Sequence, residues 1–188
     1  MDASSSLEAL MARYQAGDLM AATSLIARIS PQLHRFLSAQ AVCRADADDL
    51  LQETWLRIHR ARHTYRPGEP ILPWFYAIAR RVRVDHYRRA SRTSAREERL
   101  HDADEVAMNA AEASAKADAL EELLAPLSQS QREILEMLKV AGMSLEDVAR
   151  ATSSSVGSVK QKVHRAYDKL RQKMGATGIR KSGTGGLS

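Results

Sequence analysis

SLEDVARATSSSVGSVKQKVHRAYDKLRQKM, residues 144–174, is the stretch that decides the fold of this chain. Ser144 followed three residues later by Asp147 is a capping-box-like helix start, and Leu145, Val148 and Ala149 then share one apolar face. Thr152, Ser153, Ser154 and Ser155 interrupt that face with side chains that compete for backbone hydrogen bonds, so a turn falls there. Val156, Val159, Val163, Ala166, Tyr167 and Leu170 follow at helical spacing. The opposite face of this second helix carries Lys160, Gln161, His164 and Arg165. A short helix, a tight turn and a longer helix with a basic, amide-bearing face make a helix-turn-helix pattern, whose second helix enters a DNA major groove. An ordinary helical hairpin with a solvated basic face fits the same residues.

Composition narrows the remaining possibilities. The chain has 188 residues, room for one or two domains, and its 44% hydrophobic content is that of a globular protein. Lys and Arg number 28 against 23 acids, a net charge of +5, which favours a polyanionic partner. With Cys43 as the single cysteine, the chain has no internal disulfide and no multi-cysteine zinc site, and an intracellular, cytoplasmic location is expected. The beginning, MDASSSLEAL, shows no signal-peptide pattern, and residues 70–79, the longest uncharged apolar stretch, are too few to span a membrane. No membrane insertion is expected.

Working outward from the motif, the whole chain reads as helices. Leu7, Leu10, Met11 and Tyr14 predict a first amphipathic helix closed by Gly17, and Asp18 can cap a second. Ser30-Pro31 predicts a kink or restart within that second helix. A third helix is predicted over 46–63, then a Pro- and Gly-bearing loop over 64–70, then a fourth helix over about 74–92. Ser130 and Glu133 predict another capping box. Charge divides the chain: residues 57–99 hold twelve Arg against four acids, whereas residues 100–128 hold one Lys against seven acids. The boundaries predicted are a first domain at 1–93, an acidic linker at 94–119, a helix-turn-helix domain at 120–174 and a flexible tail at 175–188. The acidic segment, lying between two basic faces, is expected to lean on one of them in the free protein.

DADDLLQETWLRIHR (46–60), WFYAIARRVRVDHYRR (74–89), LSQSQREILEML (127–138) and the helix-turn-helix stretch, in this order, resemble the bacterial sigma factors of RNA polymerase. The likeness is to the two-domain extracytoplasmic-function group of the sigma-70 family. It implies an all-α protein of two small helical domains, a sigma region 2-like bundle and a region 4-like helix-turn-helix domain, joined by a flexible linker. It also implies an alternative sigma factor that directs promoter-specific initiation, is not an enzyme and needs no cofactor. The partners it implies are core RNA polymerase (the β′ clamp helices and the β subunit), promoter DNA and an anti-sigma factor.

The same resemblance assigns residues. Asp48, Asp49, Gln52 and Glu53 would dock on the clamp helices. The loop at 65–72 would receive a flipped −10 base, with Arg66, Tyr76, Arg80, Arg83, Arg88 and Arg89 as −10 contacts. Arg81 stands where many relatives carry Asn. Lys160, Gln161, His164 and Arg165 would read the −35 element, with Ser158, Lys162 and Arg132 at the DNA backbone. Glutamine and arginine suit adenine and guanine edges. A one-component helix-turn-helix repressor or activator is the competing reading. Enzyme readings find little: His59 and His63 are spaced for a shared metal, but no third ligand is evident and Arg60 and Arg62 repel a cation. Asp85-His86 lacks a nucleophile, and no phosphate-cradling glycine loop is present.

Overall fold

The computed structural model describes residues 6–38, 44–97 and 122–176, and among these no strand occurs. Helix α1 is Leu7–Gln15, started by the Ser6 hydroxyl, which accepts from the Ala9 amide at 3.1 Å. Gly17, at φ 94°, turns the chain where a side chain would be strained. The Asp18 carboxylate then accepts from the Met20 and Ala21 amides at 2.9 and 3.1 Å and starts α2, Leu19–Ser38.

Helix α2 runs unbroken through Pro31, where a kink or restart was expected. Ile29, Leu33, Phe36 and Leu37 form one fully buried stripe on both sides of the proline. Each such side chain stabilises the fold by about 1.5–3 kcal/mol. Together they outweigh the roughly 3 kcal/mol that an internal proline costs a helix.

Helix α3 is Arg44–Ala61 and passes into a 3-10 turn at Arg62–Thr64, so the expected third helix ends slightly early. The Gln15 amide reaches across to the Arg62 and Tyr65 carbonyls at 2.7 and 2.8 Å, supplying partners where the helix frays. Gly68, at φ 90°, makes the turn in the loop that follows. Helix α4, Ile71–Glu97, starts earlier than expected, with the Ile71 amide donating to Glu8 of α1 at 3.5 Å. The Tyr14 hydroxyl and His59 Nδ1 lie 2.6 Å apart, so His59 has a protein hydrogen-bond partner.

These four helices form the first bundle. Its centre is aromatic: Phe75 meets Trp55 and Trp74 edge-on at 5.8 and 5.5 Å, and the Trp55 indole donates to Ser30 at 2.9 Å, tying α3 to α2.

The second domain contains α5 (Gln129–Lys139), α6 (Leu145–Thr152) and α7 (Val156–Ala176). Its capping boxes are Ser144 with Asp147, as expected, and Ser128 with Gln131. The second replaces the expected Ser130–Glu133 pair, because the helix starts two residues sooner and Glu133 is drawn into a buried ion pair. Ser153, at φ 50°, closes α6 in the left-handed region, and its amide bonds the Ala149 and Arg150 carbonyls. Ile134, Met137, Val148 and Val159 are buried where the three helices meet. Helix α4 of the first bundle packs along α6 of the second domain, and the buried cores are continuous across that contact. The acidic segment expected to screen a basic face lies mostly outside the described residues.

Candidate nucleic-acid interface

On α7 the apolar positions face inward: Val159 and Ala166 are fully buried, and Val156 and Val163 pack against the core. That fixes the rotation of the helix. Lys160, Gln161, His164 and Arg165 are all exposed on the outer face of its first turns, while Ser158 and Lys162 are half-buried beside them. The Ser155 hydroxyl accepts from the Ser158 amide at 3.2 Å and holds the helix entrance. His164 is not idle on this face: its ring lies 2.7 Å from Asp168, one turn along. Arg132, on α5, is half-buried.

A second surface surrounds the loop at 65–70 and the start of α4. Thr64, Arg66, Glu69, Pro73, Trp74 and Arg150 are among the residues bordering an open cavity of about 270 Å³ there. Arg66, Arg88 and Arg89 are exposed. Two residues expected at this surface are buried instead. Tyr76 is 1% exposed, packed edge-on against Phe36 at 5.0 Å, and burial pushes its phenol well above its ordinary range. Arg83 is 1% exposed, its guanidinium lying 4.6 Å from the centre of the Phe36 ring. Arg83 pairs with Glu133 of the second domain, which Arg80 also holds at 3.0 Å. With the second domain seated on α4, neither Tyr76 nor Arg83 meets a nucleic acid.

A third surface is the polar face of α3. Asp48, Asp49 and Gln52 are exposed, with Asp48 3.1 Å from His34. Glu53 is partly exposed and bound by Arg57 at 2.8 Å. Arg57 also grips Asp85 of α4 at 2.7 Å, and this contact holds the Asp85 carboxyl below its usual range. Arg57 therefore braces α3 against α4 directly behind the acidic face.

Glu136, Arg57 and Arg150 are polar residues that the sequence did not single out, and Glu133 was expected only as a capping-box residue. Glu133 carried a signal, since it falls on the same helical stripe as Ile134 and Met137. For Arg57, only the Glu53 spacing of four residues was visible, and that is an everyday surface pair.

Comparison with known families agrees with this architecture. The sigma-70 region 2 model matches residues 25–93, and the sigma-70 region 4 model matches residues 117–170. RNA polymerase sigma factor CarQ of Myxococcus xanthus is 32% identical over 168 residues, which cover 88% of this chain and 95% of CarQ. ECF RNA polymerase sigma factor SigF of Caulobacter vibrioides is 31% identical over 174 residues, covering 92% and 96%. Among solved structures, the sigma factor RpoE of Bartonella quintana, in complex with the anti-sigma factor NepR, shares the fold. Its TM-score is 0.69 at 22% identity, covering 84% of this chain and 98% of RpoE. The chain belongs to the extracytoplasmic-function group of the sigma-70 family. It is a sigma factor, a transcription initiation factor and not an enzyme, which sets aside the one-component repressor reading. Among the described residues no helix is long and apolar enough to cross a membrane.

Proposed function

We propose that this sigma factor joins core RNA polymerase through the polar face of α3 and reads two promoter elements with its two domains. Helix α7 reads the −35 element in the major groove, while α4 and the loop before it engage the −10 element. The observation that carries this reading is the exposed stripe of Lys160, Gln161, His164 and Arg165 at the entrance of α7, held outward by Val159 and Ala166. Gln161 and Arg165 supply base-edge contacts, and Lys160, Lys162, Ser158 and Arg132 serve phosphates. Asp48, Asp49, Gln52 and Glu53 form the docking face for the β′ clamp helices, and the β subunit completes the core contacts. In the first domain, Arg66, Arg88 and Arg89 are the exposed candidates for the −10 strand.

The protein acts in the cytoplasm, where its polymerase and promoters are, and an anti-sigma factor controls it. Support for that control is the RpoE fold, which is known in complex with NepR. The domain limits of the sequence reading, 1–93 and 120–174, are retained as working boundaries.

Gln161→Ala and Arg165→Ala are each expected to lower transcription from a −35-dependent promoter, because each removes discrimination worth about 1–3 kcal/mol. Helix content by circular dichroism stays unchanged, since both side chains lie outside the core. Replacing Asp49 and Gln52 together is expected to weaken co-purification with core polymerase and leave free DNA binding intact. Parental output from the first pair on that promoter contradicts the −35 assignment, and parental co-purification of the double variant contradicts the docking assignment.

A further inference from the structure

The contact between the two domains is built around one carboxylate and two guanidiniums. Arg80 and Arg83 stand three residues apart on α4, so both point to one side of the helix. Between them sits Glu133 of α5, whose side chain is 4% exposed. A carboxylate this deeply buried is tolerated only when it is paired and hydrogen-bonded. The clamp is nevertheless incomplete from the arginine side. Nε and Nη1 of Arg83 are buried without hydrogen-bond partners. Burial and the neighbouring Arg80 charge lower the Arg83 guanidinium to about 10, so it stays charged at neutral pH. Two cations thus hold the Glu133 carboxylate, the Glu136 carboxyl acts on Arg83 through its charge, and Arg83 still has donors to spare. A tetrahedral anion with more oxygens would use those donors better.

A second, exposed contact lies beside it. Arg150 of α6 reaches Glu69 in the loop at 3.1 Å and forms one wall of the cavity next to Arg66 and Trp74. The second domain therefore buries Arg83, holds Arg80 and touches the loop through Arg150, while residues 66–70 stay exposed.

We propose that Glu133 stands in for a DNA phosphate: its carboxylate occupies Arg80 and Arg83 in the closed protein, so that strand binding along α4 and seating of the second domain exclude each other. This rests on the reading of α4 as a −10 strand-binding helix. DNA and the second domain then compete for the same two guanidiniums. Opening frees the arginine pair beside the already open loop cavity, and strand binding in turn holds the chain open, because coupling between two sites is reciprocal. The screening element is a residue of the folded second domain, fixed in position by α5.

The test uses the full chain and a fluorescent single-stranded DNA of about 20 nucleotides, long enough to exceed one single-strand binding site. Glu133→Gln keeps the shape and removes the charge. It is expected to increase the radius of gyration in small-angle scattering and to tighten oligonucleotide binding by about tenfold, within the usual range for two coupled states. Saturating oligonucleotide is expected to expand the parent chain in the same way. Arg150→Glu, which repels Glu69 from an exposed position and leaves the core untouched, is expected to act in the same direction by a smaller factor.

A parent chain that binds the oligonucleotide and keeps its closed radius overturns the proposal. So does a Glu133→Gln chain that opens with unchanged affinity. Arg88→Ala in the opened chain then separates the two failures. Lost affinity there means that α4 does bind the strand and only the competition is wrong. Unchanged affinity means that the α4 reading has failed as well.

Discussion

Phe75→Ala is expected to cost the first domain about 3–5 kcal/mol of stability, the usual range for deleting a fully buried aromatic ring. Phe75 has no exposure, and its ring is enclosed by Trp55 and Trp74. Removing it takes away the transfer energy of the ring and both edge-to-face contacts, and leaves a cavity bounded by two large indoles that cannot collapse easily. The readout is selective. The chain has two tryptophans, Trp55 and Trp74, and both belong to the first bundle. Urea unfolding followed by tryptophan emission therefore reports that bundle, and its midpoint is expected to fall sharply. A loss below about 1 kcal/mol, the level of an ordinary mutation, contradicts the aromatic core described above.

The second large effect is a dependence on pH centred on Glu136. Burial against the first domain raises its carboxyl from 4.5 to about 7, although Arg35 and Arg83 both pull it down. The other groups at this contact are Tyr76, Arg80 and Glu133. Between about 4.5 and about 7 the packed protein keeps a proton that an exposed Glu136 would release. Folding then binds protons, so the contribution is fully present below 4.5 and is lost as pH rises through about 7. Thermal unfolding from slightly acidic to slightly alkaline buffer is expected to show falling stability in the parent. A flatter profile is expected in Glu136→Gln, with higher stability than the parent on the alkaline side. A Glu136→Gln chain that keeps the parental slope assigns the dependence to another group.

Much of this molecule was readable from local pattern, and the errors share a cause. Helix positions followed from apolar periodicity and from caps such as Asp18 and Ser144, whose hydrogen bonds span only two or three residues. The outward face of α7 followed from Val159 and Ala166 for the same reason. The restart expected at Pro31 does not occur, because its local cost is visible in sequence while the stripe from Ile29 to Leu37 that offsets it acts through other helices.

The burial of Arg83 in the closed protein is the clearest case of a feature the sequence hides. Charged side chains are almost never fully buried unless paired, so a lone arginine in a basic helix reads as solvent-facing. Its partner Glu133 lies 50 positions away, beyond the acidic segment. No periodicity on α4 could announce it. The burial of Tyr76 was hidden in the same way, since Phe36 on α2 and Glu136 on α5 both lie near it only in the fold. The loop around Gly68 and the acidic face of α3 were legible as residues. Arg57, which braces that face through Asp85, was not, because the brace joins two helices.

The central claim is that this chain directs promoter-specific initiation as a dissociable subunit of RNA polymerase. Run-off transcription with purified core enzyme, followed by mapping of start sites, tests it most directly. The account predicts discrete start sites that appear only when the factor is added and weaken with Gln161→Ala or Arg165→Ala. Transcription that stays non-specific with the factor present, together with tight binding of the free protein to a palindromic site, contradicts it.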